Sequence, residues 1–437
     1  MIRRLLRALL PAVLCLLPAL PAAALTIEPV RSDGGITAWL IEDHSNPLIA
    51  VDAAFTGGAA LDPADKQGLA GMVAALLDEG AGPLDAQAFQ GRLEDLGIGF
   101  TAAAGDDSLQ IQMQTLAANR AAAFHLLALA LTRPRFDAAA QARIRGQIES
   151  LLARQEQDPR SVAGRAFSRQ LYPHHPYGRD PAGSMAGLRA ITTADLAAYP
   201  ARRLTRDRLR IGVAGDITPA RLKPLLDAAF AALPAQGEAA PLPEAAAQAR
   251  GRVTVIRRSG PQSVVLFGQQ GLKRDDPDWY AALVMNDILG GGGFSSRLMT
   301  ELRVRRGLVY GIETSLAPLD HGALIDGGTA TGNDRVAETI ALIRQAWRRM
   351  AADGATDAEL AAAKTYLIGS FPLRLDSTPA IARMLVALQR DHLGPGYLKR
   401  RAALICAVTA ADIRRVAKRL LDAKTLEFVV VGDPKGV

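Results

Sequence analysis

The stretch of sequence that decides the fold is residues 290–312, which read GGGGFSSRLMTELRVRRGLVYGI. Four glycines precede a Ser-Ser-Arg-Leu sequence that starts a helix, and this helix continues to Arg306. Gly307 then ends the helix, because glycine readily adopts turn conformations and is a poor helix former. Leu308, Tyr310 and Ile312 alternate with other residues as they would in a strand. The stretch therefore predicts a loop, a helix and a strand in close succession.

The same motifs occur twice along the chain of 437 residues. The sequence ITTADL at 191–196 precedes a strand that ends at Asp216, and VTAADI at 408–413 precedes a strand that ends at Asp433. The spacing from Asp195 to Asp216 equals the spacing from Asp412 to Asp433. Asp-Pro pairs at 62–63 and 276–277 open the first helix of each half. Motifs that repeat at matching intervals indicate an internal duplication.

Each half reads as strands, then long alanine-rich helices, then strands again. Strands are predicted at 37–41, 49–51 and 208–213, and again at 253–256, 264–267 and 426–431. Because the early strands resemble hairpins more than strict β-α-β alternation, the predicted fold class is α+β, with two duplicated α/β sandwich domains. We predict domains at residues 25–233 and 252–437, joined by a polar, proline- and alanine-rich linker at 234–251.

Residues 1–24 have the pattern of a secretory signal peptide. Three arginines precede the apolar run ALLPAVLCLLPALP, and the segment ends in Ala22, Ala23 and Ala24. An uncleaved N-terminal anchor is the alternative. Cleavage would remove Cys15 and leave Cys406 as the single cysteine, so no intrachain disulfide could form. We expect a periplasmic protein in which Cys406 is a buried, small apolar residue.

The net charge of +7 comes from basic residues that are scattered among acidic ones. No basic stripe with interleaved aromatic residues is present, so nucleic acid is not an expected partner. The chain has no second long apolar segment. After removal of the signal peptide we therefore expect a soluble protein without a stable membrane anchor.

Residues 290–312 resemble the C-terminal half of the pitrilysin/insulinase (inverzincin) family of zinc peptidases. Within that family the sequence is most similar to the processing-peptidase type, which is built from two paired chains. The resemblance covers nearly the whole chain after the signal peptide. It implies two similar α+β sandwiches that form one half of a hollow clamshell.

The zinc motif of the family, H-x-x-E-H, is missing from the helix where it belongs. Asp62 and Pro63 are expected to start this helix, and the family's Gly-Leu-Ala lead is present at residues 68–70. Two His at i and i+4 reach one metal, and the Glu between them polarises its water. Here the three chemical positions are occupied by Gly71, Ala74 and Ala75. We therefore expect no metal site and no cofactor in this chain.

Glu149 is the nearest candidate for the family's third zinc ligand, which is a Glu on a later helix. One carboxylate cannot hold a catalytic zinc, which needs three protein ligands and an open position. The small residues Gly71, Ala74 and Ala75 indicate a chamber wall left open for peptide. Their counterparts in the second half lie near Met285, Ile288 and Leu289, which look like core residues.

The resemblance assigns functional roles to Arg303 and Tyr310, which match an Arg and a Tyr seven positions apart in the family. It implies that they grip the substrate backbone and the oxyanion, for which a guanidinium and a phenol are suitable donors. The alternative is that the arginines favour a helix C-terminus and that Tyr310 packs on a strand. The glycine-rich loop is predicted to let a peptide backbone approach closely, with a plain tight turn as the alternative. The predicted substrate-binding glycines are Gly290, Gly291, Gly292 and Gly293.

The main functional hypothesis is a non-catalytic subunit of a periplasmic, heterodimeric zinc endopeptidase. A homologous partner with an intact H-x-x-E-H would supply the zinc, and short or unfolded peptides would be the substrates. One alternative is a structural or peptide-binding scaffold without a proteolytic role. A third is an independent hydrolase with an unrecognised site, although no G-x-S-x-G motif is present. His174 and His175 are adjacent, make poor co-ligands and are predicted to lie in a turn.

Overall fold

Two mixed β-sheets with helices on both faces form the framework of the protein. The computed structural model describes residues 25–437, and the predicted signal peptide lies outside them. The first half contains β1 (Glu28–Arg31), β2 (Thr37–Glu42), β3 (Leu48–Thr56), α1 (Leu69–Leu76), α2 (Ala86–Asp95), β4 (Gly99–Ala104), β5 (Ser108–Leu116), α3 (Arg120–Thr132), α4 (Ala138–Gln157), α5 (Pro159–Leu171), α6 (Met185–Ala190), α7 (Thr193–Arg203), β6 (Leu209–Gly215) and α8 (Pro219–Phe230).

The second half repeats this order from β7 onwards. Two π-helical turns, Asp287–Gly291 and Met299–Arg305, lie between its first helix and the next strand. Its regular elements are β7 (Val253–Arg257), β8 (Gln262–Gln270), α9 (Trp279–Asn286), β9 (Val309–Leu319), β10 (Gly322–Gly332), α10 (Val336–Asp353), α11 (Asp357–Gly369), α12 (Thr378–Arg390), α13 (Tyr397–Cys406), α14 (Ala410–Leu420) and β11 (Glu427–Gly432).

The strand orders of the two sheets confirm the predicted α+β fold with two duplicated sandwiches. The first sheet has the order β1-β2-β6-β3-β5-β4, and the second has the order β7-β11-β8-β10-β9. The last strand of each sheet forms a parallel pair, β6 with β2 in the first sheet and β11 with β7 in the second. All other strand pairs are antiparallel. The second sheet therefore lacks only a counterpart of β1. The residue boundaries of the predicted domains stay predictions.

Local sequence explains why several of these elements form. In β5, Leu109, Ile111 and Met113 are buried and alternate with partly exposed glutamines, as expected for a strand with one face on the core. The two repeated Asp motifs are capping boxes of α7 and α14. In each, a threonine side chain accepts from the backbone N–H of the Asp, whose carboxylate accepts from the threonine N–H in return. The duplicated motifs thus fix the starts of two equivalent helices.

Each half covers its own sheet on one face and the other half's sheet on the opposite face. Helix α5 packs on β8 and β11 of the second sheet, and α12 packs on β3 and β6 of the first. A Cβ at Gly212 of β6 would lie 2.3 Å from the carbonyl oxygen of Ala382, so only glycine permits this approach of α12. Likewise, a Cβ at Gly268 of β8 would lie 2.9 Å from Cζ of Phe167 in α5. The two halves are therefore interlocked by reciprocal helices.

The linker at 234–251 is bonded to both halves. Ala245 N–H donates to the carbonyl oxygen of His321 at 2.6 Å, and Gln248 N–H donates to that of Leu171 at 2.8 Å. These bonds hold the connection as an extended strap that crosses from α5 to β10.

Three expectations from the sequence can be compared with the structure. Helix α1 begins at Leu69 and not at Pro63, because residues 63–68 form turns; this prediction was wrong. Cys406 ends α13 and is exposed, so its predicted burial was also wrong. Within residues 25–437, no helix is both long and apolar enough to cross a bilayer.

Candidate functional site

The N-terminal corner, defined as α1 with the edge strand β4, contains the three emptied zinc-motif positions. Gly71 and Ala75 are partly exposed, whereas Ala74 is 2% exposed and belongs to the hydrophobic core. A Cβ at Gly71 would approach only the carbonyl oxygen of Pro181, at 4.0 Å. The hypothesis of an open wall is therefore wrong for Ala74 and is compatible with the surroundings of Gly71.

No metal-binding group is found around these positions. Within residues 25–437, no cluster of three or more His, Cys, Asp or Glu side chains could hold an ion. Glu149 of α4 instead forms an ion pair with Arg189, with 3.2 Å between Oε1 and Nε. A glycine and two alanines offer no donor atom, so the residues present do not fit a zinc ion.

Asp62 caps the N-terminus of α1 from outside the helix. Its carboxylate accepts from the backbone N–H groups of Gly68 at 2.9 Å and Ala70 at 3.1 Å. Burial raises the pKa of Asp62 to about 7, although these hydrogen bonds act in the opposite direction. Nearby, Lys66 forms an ion pair with Asp195 of the α7 capping box, with 2.6 Å between Nζ and Oδ1. One carboxylate thus holds the start of α1, and a second holds the turn that precedes it.

Strand β4 pairs only with β5, so its outer edge carries backbone groups without a strand partner among the described residues. Gly105 N–H donates to the carbonyl oxygen of Ser108 at 2.9 Å, so the backbone groups of every second residue back from Gly105 point towards β5. The backbone N–H and C=O groups of Phe100 and Ala102, which lie between those residues, therefore face the free edge. An extended peptide can add to such an edge.

The C-terminal corner, defined as α9, residues 287–308 and β9, holds the glycine-rich loop. A Cβ at Gly290 would lie 2.5 Å from Thr314 Oγ1, and one at Gly291 would lie 2.6 Å from Asn286 Nδ2. At Gly292 the clash would be with the carbonyl oxygen of Asp287, at 2.7 Å. Gly293 has nothing near it but has φ +60°, which disfavours other residues. Close packing and backbone conformation therefore account for these glycines, and their contact with substrate stays a prediction.

Part of the outer edge of β9 is covered, in contrast to the edge of β4. Ile312 N–H donates to Met299 Sδ at 3.4 Å, and Asn286 Nδ2 donates to the carbonyl oxygen of Thr314 at 3.1 Å. Further along, Pro318 has no N–H to offer. These features protect β9 against pairing with another strand.

Arg303 and Tyr310 lie together at this corner. Arg303 Cζ lies over the ring of Tyr310, 4.6 Å from its centroid, and also over the ring of Phe294, 4.5 Å from that centroid. Tyr310 is 86% exposed and Phe294 is 65% exposed. Tyr310 is therefore not a packed core residue of its strand. Phe294 was not selected from the sequence, although an aromatic residue directly after four glycines is a signal that could have drawn attention to it.

The neighbouring arginines behave differently from Arg303. Arg305 and Arg306 pair with Glu301, at 3.2 and 2.9 Å, and Arg306 also pairs with Glu338 at 3.1 Å. In the described part of the chain, the guanidinium of Arg303 has no hydrogen-bond or carboxylate partner. Its five N–H donors are available for an external acceptor.

A groove of about 640 Å³ runs along this corner from the start of α5 to the tip of β9. Its lining includes Arg160, Gly291, Phe294, Tyr310 and Glu313. The groove therefore combines a backbone-accessible loop with aromatic and charged side chains. His174 and His175 lie elsewhere, in the predicted turn, where His175 Nδ1 accepts from Tyr177 N–H at 3.2 Å.

The fold has the architecture of a zinc peptidase. Helix α1, where the zinc motif would lie, has no metal ligands. The chain is similar to members of the M16 family, the pitrilysin/insulinase zinc peptidases and their non-peptidase homologues. A family profile described as "Peptidase M16 inactive domain" matches residues 190–367.

Individual relatives agree with this assignment. The Helicobacter pylori protein named "Non-peptidase homolog YmxG" is 28% identical over 421 residues, which cover 95% of this chain and 96% of that protein. An uncharacterized zinc protease of Mycobacterium leprae is 29% identical over 280 residues, and this match spans 62% of each chain. The crystal structure of a peptidase M16 inactive domain from Pseudomonas fluorescens has a TM-score of 0.88 at 27% identity, covering 94% of this chain and 98% of that one.

Proposed function

We propose that this protein is the zinc-less subunit of a periplasmic, heterodimeric zinc endopeptidase. A homologous partner chain with an intact H-x-x-E-H motif would hold the metal. This chain would supply half of the substrate chamber and the donors Arg303 and Tyr310. Short or unfolded peptides are the proposed substrates.

The observation that carries this proposal is the free guanidinium of Arg303 beside the exposed phenol of Tyr310. Arg305 and Arg306 on the same turn are paired with Glu301, whereas Arg303 is not. A guanidinium that lies beside two aromatic rings and has no carboxylate partner is suited to an oxygen that becomes negative during the reaction. Peptide hydrolysis develops such a charge on the scissile carbonyl oxygen, and Arg303 and Tyr310 would donate hydrogen bonds to it.

The open edge of β4 supports the peptide part of the proposal. An extended peptide can form main-chain hydrogen bonds with Phe100 and Ala102 irrespective of its sequence. The partly exposed positions Gly71 and Ala75 beside this edge leave room for side chains. A subunit that binds backbone at one corner and offers donors at the other needs only the partner's metal site for hydrolysis.

The test is to isolate the full-length chain from cells of its source under native conditions and identify any co-purifying chain that contains H-x-x-E-H. In the reconstituted pair, Arg303→Ala should lower kcat/KM for peptide hydrolysis on the order of 100-fold, the typical effect of losing one such donor. Tyr310→Phe should also lower it. Both variants should still form the complex.

Arg305→Ala is the matched control, because Arg305 lies on the same turn but is already paired with Glu301. Its activity should equal that of the unmodified pair. Unchanged activity in both Arg303→Ala and Tyr310→Phe would refute the proposed role. Peptide binding without any associated hydrolase would instead favour the scaffold hypothesis, and recovery outside the periplasmic fraction would contradict the proposed location.

A further inference from the structure

Phe294 occupies a position that core packing does not explain. Its side chain is 65% exposed, so burial of this ring contributes little to the stability of the fold. The turn that presents it is nevertheless well defined. Ser295 Oγ donates to the carbonyl oxygen of Gly292 at 2.9 Å, Ser296 Oγ donates to that of Gly293 at 2.8 Å, and Gly293 adopts φ +60°. The glycine-rich loop therefore holds an exposed aromatic ring in one place.

The Arg303 guanidinium lies against two aromatic rings, with Cζ 4.5 Å from the centroid of Phe294 and 4.6 Å from that of Tyr310. The donors of a guanidinium lie in its plane, so stacking leaves them free while a carboxylate would occupy them. Arg274 provides a contrast within the same molecule. Its guanidinium lies near three aromatic rings, 4.7 Å from the centroid of Trp279, but it is also paired with Asp391 at 3.4 Å. Among the described arginines that lie over an aromatic ring, Arg344 and Arg401 also donate to carbonyl oxygens, and Arg303 alone has no hydrogen-bond or carboxylate partner.

We infer that Phe294 is a positioning residue for Arg303, an inference that rests on the proposed function. The two rings restrict the rotamers of a long side chain that would otherwise be mobile on the surface. The guanidinium is thus held near one position while its N–H donors stay unpaired. A fixed donor loses less entropy when it meets the carbonyl oxygen in the transition state, so the effect should appear in kcat.

The kinetic test uses the reconstituted complex of both chains. Phe294→Leu keeps an apolar side chain but removes the aromatic face, and it should lower kcat roughly tenfold with little change in KM. Phe294→Tyr restores the face and should restore kcat. Val304→Ala is the control, since Val304 is 66% exposed and follows Arg303 on the same helical turn. An unchanged kcat in Phe294→Leu would overturn the inference.

A double-mutant cycle separates this inference from the proposed function. If Phe294 acts through Arg303, Phe294→Leu should have no further effect in the Arg303→Ala background. Additive losses would show that Phe294 acts independently and would overturn the inference alone. An inactive pair, or one insensitive to Arg303→Ala, would instead refute the proposed function and the inference with it.

A spectroscopic measurement tests the stack without any partner. In the full-length chain alone, the NMR signal of the Arg303 Nε–H group should be displaced by the two ring currents. Phe294→Leu should shift this signal, and Val304→Ala should not. An identical signal in Phe294→Leu would mean that the ring does not hold the guanidinium, which contradicts the inference.

Discussion

The N-terminal and C-terminal corners are the same structural unit, used in two ways. Both place the first helix of the repeat beside the edge strand of a sheet. In the N-terminal corner the edge of β4 is open and the helix carries small residues. In the C-terminal corner Met299 and Asn286 cover part of the edge of β9, and the counterparts Met285, Ile288 and Leu289 are buried, as expected from the sequence. One copy thus exposes backbone, and the other exposes the Arg303 stack.

This difference shows how a duplicated fold can divide a substrate site. A chamber that cleaves peptides needs an edge that pairs with a backbone and donors that meet a developing charge. A single corner cannot easily provide both, because side chains that cover an edge also block pairing with it. No metal ligands are found among the described residues of the first corner, so under the proposed function the metal site belongs to a partner chain.

The largest expected contrast between the corners is in their response to pH. Burial raises the pKa of Asp62 to about 7, whereas the hydrogen bonds from Arg419 lower the pKa of Asp276, its counterpart in the second half. Between about pH 4 and pH 7, folded Asp62 keeps a proton that the unfolded chain releases, so stability falls as pH rises. Asp276 has a lowered pKa, so its contribution to the stability of the folded protein is complete above about pH 4 and is lost as pH falls below that value.

Asp62→Asn should remove this fall of stability with rising pH. Relative to the unmodified protein, its free energy of unfolding should rise by roughly 2–4 kcal/mol between pH 4 and pH 7, since one pKa unit corresponds to about 1.4 kcal/mol. Asn can still accept one of the capping hydrogen bonds. The free energy of unfolding of Asp276→Asn should differ from that of the unmodified protein by a constant amount above pH 5. Urea unfolding across this range measures both, and parallel curves for Asp62→Asn and the unmodified protein would contradict the raised pKa.

The next largest effect is expected from filling the glycine-rich loop. In Gly290→Ala the new Cβ would meet Thr314 Oγ1 at 2.5 Å and Leu298 Cδ1 at 3.1 Å. Such overpacking should lower the free energy of unfolding by about 1–3 kcal/mol. Gly293→Ala is a matched variant with no close neighbours, and only its positive φ should oppose the substitution. If urea unfolding gave Gly290→Ala full stability, the tight packing of the loop on β9 would be wrong.

Proline substitutions distinguish the two edges. Ala102→Pro removes a donor from the open edge of β4, and an edge position tolerates proline because no ladder bond is lost. The affinity for an unstructured peptide should fall roughly tenfold, from the loss of one hydrogen bond and from steric exclusion. Leu316→Pro makes the same change at a residue of β9 that faces its outer edge, as Ile312 and Thr314 do, and should leave binding unaffected. Equal effects in isothermal titration calorimetry would mean that β4 is not the binding edge.

The sequence predicted the parts of this molecule that depend on local pattern. The duplication, the six strands named in advance and the turn at Gly307 follow from periodicity and from residues with strong local preferences. Asp62 was misplaced because it caps α1 across an intervening turn, and local rules assume a cap next to the first helical residue. The exposure of Cys406 depends on how α13 packs, which composition does not determine.

The candidate site was predicted in part: the resemblance selected Arg303 and Tyr310, whereas Phe294 was not selected. The segment that brings these three side chains together includes two π-helical turns and the positive φ of Gly293, which periodicity does not predict. The covering of β9 by Met299 and Asn286 has the same origin. The reciprocal packing of α5 and α12 leaves no periodic signal, apart from glycines at Gly212 and Gly268 within strands.

The smallest expected effect comes from the emptied motif itself. Gly71→Ala adds a methyl group whose nearest neighbour would be the carbonyl oxygen of Pro181, at 4.0 Å. Because alanine favours a helix interior over glycine, the free energy of unfolding should rise by about 0.5–1 kcal/mol. Peptide affinity should change little, since a methyl group leaves the edge of β4 open. A large loss of peptide affinity at unchanged stability would instead place substrate directly against Gly71, which would mean that the emptied helix face, and not only the strand edge, binds peptide.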